Sequence, residues 1–87
     1  MAGTTADSQD LRRLAKELRQ AQDEIEKVAR HLERTLANLN WKDHVKDRID
    51  ADCRQATAGL RRFGQTLNEH SRVVDRKASE LEKFLSR

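Results

Sequence analysis

Three histidines, one cysteine, a run of aspartates and a single tryptophan are the side chains of this 87-residue chain that invite a chemical reading. His31, His44 and His70 are scattered: no two lie three or four residues apart, and no cysteine is near any of them, so a metal site has no ligand set. Cys53 and His70 both fall on the apolar stripe traced below. Cys53 has no histidine base beside it to generate a thiolate, so both read as helix-packing residues rather than as nucleophile or ligand. Asp43, Asp47, Asp50 and Asp52 resemble a cation site only in number. Helical spacing spreads them over different faces and no calcium-loop glycine accompanies them, whereas acids at a helix N-terminus are favoured by its dipole. Arg12-Arg13 and Arg61-Arg62 could touch phosphate, yet acids are interspersed and aromatics make up only 3 %, which leaves no stacking platform for nucleic acid. Gly-rich phosphate loops and Ser/His/Asp arrangements are absent. The sequence reads as a non-enzyme that needs no cofactor and no metal. Trp41 remains, either as a plug at a helix–helix turn or as a recognition anchor of the kind over-represented at interfaces.

The elements that carry these residues are helices. The chain has no proline and no tyrosine, 38 % charged residues, and an abundance of Leu, Ala, Arg, Lys, Glu, Asp and Gln. That mixture with helical periodicity predicts an all-α fold. At this length one domain is expected, with a thin core. A flexible arm over residues 1–7 precedes a helical-hairpin domain over 8–87. One cysteine excludes an internal disulfide. The start, MAGTTADSQD, has neither the basic region nor the apolar core of a cleavable signal peptide, and no apolar run approaches the ~20 residues of a membrane span. A cytoplasmic protein is expected, with secretion by a signal-independent route as the alternative. The net charge of +3 arises entirely after residue 40: seven basic and seven acidic residues precede that point, eleven and eight follow it.

Starting after an N-cap at Ser8 or Asp7, apolar residues recur at alternating spacings of three and four. Leu11, Leu18, Ile25, Leu32 and Leu39 form one register, and Leu14, Ala21, Val28 and Thr35 the other. Ala15, Ala29 and Leu36 widen the stripe on one flank. Asp23–Lys27 and Glu26–Arg30 have the favourable i, i+4 order on the opposite face. The pattern is interrupted at Asn38 to Lys42, where Asn40 or Asp43 can cap a second helix. It resumes through Val45, Ile49, Cys53, Ala56, Leu60, Phe63, Leu67, His70, Val74, Ala78, Leu81 and Leu85, with Phe84 beside the last. The spacing slips near Ile49 and between Val74 and Ala78. Gly59 and Gly64 lie inside this second stretch, which is expected to stay continuous.

Helices over 8–38 and 43–85 would be about 45 and about 64 Å long. A turn near Asn40 places Ser8 opposite Arg72, so the residues after Val74 are expected to overhang the first helix. A two-helix antiparallel hairpin also cannot enclose stripes this broad. The expected interface residues are Leu11, Leu14, Leu18, Ile25, Val28, Leu32, Leu60, Phe63, Leu67, Val74, Leu81, Phe84 and Leu85. Their covering would be a protein partner, in a homodimer or a heterodimer with a related hairpin or a larger helical protein.

A heptad helix, a turn reading Trp41-Lys42-Asp43 and a second heptad helix with Ile49, Leu60, Phe63 and Leu67 in phase together resemble a known pattern. So does the closing stretch from Val73 to Leu85. The chain resembles the Trp-x-Gly family of small bacterial helical hairpins associated with type VII secretion, in a Trp-x-Asp form: Asp43 stands where the motif has glycine. The family's export signal, an aromatic followed four residues later by an acid, has no counterpart here. The resemblance implies pairing into a four-helix bundle, and a role as secretion substrate or as escort of a larger exported protein. An intracellular adaptor or structural coiled-coil subunit is the other function class the same residues would serve.

Overall fold

A computed structural model describes residues 6–85, with side chains to residue 84. The expected arm thus falls mostly outside the described residues, as do the last two residues and the side chain of Leu85. The described chain is all-α. Two helices, α1 (Ser8–Asn38) and α2 (His44–Leu85), pack as an antiparallel hairpin measuring 66 × 21 × 13 Å.

Each helix begins on an aspartate. Asp7 accepts a hydrogen bond from the Gln9 amide at 2.8 Å and so satisfies one of the free N–H groups of α1. Asp43 does the same for α2, its Oδ1 accepting from the amides of Val45 (2.9 Å) and Lys46 (3.0 Å). α1 ends without a glycine. Leu39 turns into extended backbone at φ −70° and ψ 135°, and no described residue has positive φ. Gly59 and Gly64 lie within an unbroken α2, because a helix already packed along its length tolerates their weaker propensity.

The seam between the helices is made of small residues. Ala15 and Ala29 on α1 are fully buried, as are Ala78 and Ser71 on α2, and Thr57 is 3 % exposed. With buried Gly64, the α2 set repeats every seven residues: Thr57, Gly64, Ser71, Ala78. Short side chains let the two backbones approach closely, and the heptad repeat holds the row on the partner helix. The hydroxyls of Thr57 and Ser71 donate to carbonyls within α2, Arg54 at 3.1 Å and Asn68 at 2.7 Å, so burying them leaves nothing unpaired.

The register differs from the expected one. Arg12 reaches Asp75, Ser79 and Glu82, so α2 runs beside the start of α1 as far as about Ser79, and the overhang expected from Val74 onward shrinks to its last turn or so. Counting from a tight turn misplaced the helices by about two turns. The linker Leu39–Asp43 is non-helical and runs back past the start of α2, so that α2 also extends beyond α1 at the turn end, from His44 to about Ile49.

Candidate protein interface

Because the seam is narrow, the hairpin has two long faces, and they differ in kind. One is polar and closed by ion pairs between the helices. The Arg61 guanidinium bridges Glu26 (2.9 Å) and Glu33 (2.8 Å), and Arg30 adds a 3.3 Å contact to Glu26 from the same helix. Arg12 holds Asp75 (3.1 Å) and Glu82 (2.7 Å), and Arg19 holds the other oxygen of Asp75 at 2.7 Å. These contacts perturb the carboxyls. Arg61, then Arg30, keeps Glu26 below the usual carboxylate range; Arg61 does the same to Glu33, and Arg19 with Arg12 to Asp75. Glu82 and Asp75 in turn raise Arg12, as Glu33 and Glu26 raise Arg61. Arg12 and Arg61, two of the four arginines a phosphate reading would use, are committed to carboxylates.

The other face is apolar and open. Leu11, Leu18 and Ile25 on α1, with Leu60, Leu67, Val74 and Leu81 on α2, flank the seam and are partly buried. Beyond them lie Leu14 (44 % exposed), Val28 (52 %), Leu32 (39 %) and Phe63 (56 %). Phe84, at 76 %, is the most exposed large apolar residue of those described. Thus the hairpin encloses only part of the expected interface set. Near the turn, Leu39, Val45 and Ile49 are exposed as well. His70 is exposed, contrary to its reading as a packing residue: it continues the row of Phe63, one position too far from the seam for α1 to cover.

At the turn, Trp41 is 38 % exposed and its indole N–H donates to Asp43 Oδ2 at 2.9 Å. Asp43 therefore accepts three hydrogen bonds. The Lys46 amide, the Trp41 indole and the Val45 amide, in that order, hold its carboxyl below the usual range. A tryptophan two residues before a capping aspartate thus makes one bonded unit, and a glycine in place of Asp43 could make none of these side-chain bonds. The other aspartates of the run are dispersed. Lys46 pairs with Asp50 at 2.7 Å, and the two line a half-open groove of about 340 Å³ with Cys53, Thr57 and Glu33. None of the three histidines lines that groove. Among the described residues no cluster of three or more His, Cys, Asp or Glu could hold a metal ion, and no helix is long and apolar enough to cross a membrane.

Comparison with known proteins finds no match for this chain among family models, curated proteins or solved structures.

Proposed function

We propose that this chain is a non-catalytic helical subunit whose open apolar face is completed by another helical hairpin in a four-helix bundle. By the resemblance of its Trp41-Lys42-Asp43 turn and flanking heptads, it acts as a type VII secretion-associated hairpin, a substrate or the escort of a larger partner. One observation carries the reading: Leu14, Val28, Leu32 and Phe63 stand exposed on one side of a seam whose other side is sealed by ion pairs. Burying each such side chain contributes about 1.5–3 kcal/mol. A contiguous apolar strip of this kind is the usual mark of an interaction surface, and pairing hairpins into a bundle is the simplest way to bury it.

The test is the mass in solution of the 10.1 kDa chain, alone and co-expressed with helical proteins encoded beside it. A complex is expected, and Val28→Asp with Phe63→Asp should abolish it while the chain stays helical. A monomer under every condition, indifferent to those two charges, overturns the reading. Secretion is tested apart from assembly. Release of the chain, or of the larger protein that co-purifies with it, should stop when the secretion ATPase is deleted; release that continues unchanged excludes that role.

A further inference from the structure

We propose that the hairpin is the closed form of a conformational switch. Residues 39–43 turn helical, α1 and α2 join into one helix over 8–85, and two such chains exchange their α2 helices across the same seam. This concerns the seam and the linker and is independent of what covers the apolar face.

The two helices share one heptad phase. On α1 the seam positions include Ala15, Ala29 and Leu36, and on α2 Asp50, Thr57 and Gly64; all six are buried or half-buried. Whole multiples of seven residues separate them, so both seams belong to a single frame that runs through the linker. The flanking row does the same, since Leu39 follows Leu32, and Lys46 and Cys53 lead on to Leu60. A closed hairpin does not require this, because a non-helical linker joins two helices at any phase. One straight helix does require it, if both halves are to present their seams on the same side.

The levels of the ion pairs agree with the phase. Arg12 with Asp75 and Glu26 with Arg61 are symmetric about the peptide bond between Asp43 and His44. A two-fold axis at that point lays α1 of one straight chain on α2 of the other, with the hairpin's pairings kept. It also brings Leu39 level with Ile49 of the second copy. Both are exposed in the hairpin, and His44 to Ile49, which extend beyond α1, gain a neighbour.

Nothing in the linker forbids a helix, for residues 39–43 contain neither glycine nor proline. Asp43 holds the closed form, accepting from the Trp41 indole and from the Val45 and Lys46 amides. In the straight form those two amides bond within the helix, and Asp43 joins Asp50 in the seam. A second carboxylate there disfavours the straight form and keeps the hairpin as the resting state.

A disulfide placed across the seam reads the exchange. A Cβ on Gly64 lies 3.4 Å from Gln22 Cγ, so Gln22→Cys with Gly64→Cys, in a Cys53→Ser background, brings two thiols within bonding reach. The chain is refolded from denaturant at high concentration, diluted, and oxidised at once. Exchange should give a covalent dimer, α1 of each copy bonded to α2 of the other. Closed hairpins give only covalent monomer, whether or not they pair over the apolar face, and that result overturns the proposal. Asp43→Leu removes the cap and puts an apolar residue in the seam, so it should raise the ratio of covalent dimer to monomer about tenfold. An unchanged ratio refutes Asp43 as the lock. Two alanines inserted after Lys42 keep helix propensity but shift the phase, and should abolish the covalent dimer; its persistence refutes the shared frame. Small-angle scattering of the exchanged dimer without engineered cysteines should give a length of about 117 Å, the rise of one helix over 8–85. A length near the 66 Å of the hairpin overturns the straight form.

Discussion

The two long faces of the hairpin are built on the same heptad frame and end in opposite states. Four residues after the seam positions Ser8, Ala15, Gln22 and Ala29 on α1 come Arg12, Arg19, Glu26 and Glu33, and the matching row on α2 includes Arg61, Asp75 and Glu82. Three after come Leu11, Leu18, Ile25 and Leu32 on α1, and Leu60, Leu67, Val74 and Leu81 on α2. The polar face is complete within one chain, since its charges find partners across the seam at 2.7–3.1 Å. The apolar face is not, because two helices have no third surface to put against it. The contrast separates two jobs. Directional ion pairs can specify how α1 aligns with α2, while a non-directional apolar surface supplies free energy for whatever covers it.

The contrast depends on the seam staying narrow, and enlarging a seam residue would break it most severely. Ala29→Leu puts three more carbons where the side chain is fully buried. Overpacking a close contact costs about 1–3 kcal/mol, and here it would also push Arg61 away from Glu26 and Glu33. The expected result is a lower urea midpoint with an unchanged slope, together with loss of the ion pairs' salt dependence. A midpoint equal to the parent's would mean that the helices are not in close contact at that level.

The polar face can be weakened alone. Arg61→Met removes the bridge to Glu26 and Glu33 but keeps the aliphatic stem. These side chains are 35–45 % exposed, so the loss should be modest and should disappear in high salt. Acid should imitate it. The folded-state values of Glu26, Glu33 and Asp75 are depressed. Their contribution is therefore complete above about pH 5 and is lost as pH falls below about 4, through the usual carboxylate range. Melting temperatures at pH 7 and pH 3 should differ less in Arg61→Met than in the parent. Association through the apolar face should survive in the variant at pH 7. If the two faces failed together, their independence would be refuted.

The two helices, their all-α class and the breadth of the apolar stripe were legible in the sequence, because Leu, Ile and Val at spacings of three and four dominate any periodic reading. A cap before the second helix was legible from side-chain chemistry, at Asn40 or Asp43, and Asp43 is the one that forms it. The seam was not. Its members are Ala, Gly, Ser and Thr, which carry little hydrophobic weight, so Ala15 and Ala29 read only as the flank of a stripe, although they are the positions buried between the helices. The register was also hidden, since it depends on the extended path of Leu39–Asp43 and not on the number of residues there. Without a register, the pairing of Arg61 with Glu26 and Glu33, thirty-five and twenty-eight positions away, has no local signal. Of the pairs within one turn, Glu26–Arg30 was expected, while Lys46–Asp50 and Lys77–Glu80, equally local, were not. Asp23–Lys27, beside Glu26–Arg30 and equally expected, is not among the ion pairs formed.

The finest probe of the seam uses the two glycines of α2, which have the same chain chemistry and different surroundings. A Cβ at Gly59 would meet only the end of the Arg62 side chain, at 3.7 Å. Gly59→Ala should therefore gain nearly the full helix-propensity difference, about 0.8–1 kcal/mol. A Cβ at Gly64 points across the seam, 3.4 Å from Gln22 Cγ and 3.7 Å from Ile25 Cγ2. Those are tight but ordinary contacts, and Gln22 is a flexible side chain. Gly64→Ala should thus still stabilise the hairpin, by roughly half as much, the remainder going into a small shift of Gln22. Denaturant titration of both variants reads the difference. Equal gains would show that Gly64 is no closer to α1 than Gly59 is. A loss at Gly64 would show a seam tighter than these distances describe, and Gly64 would then be a requirement of the close approach instead of a residue it merely tolerates.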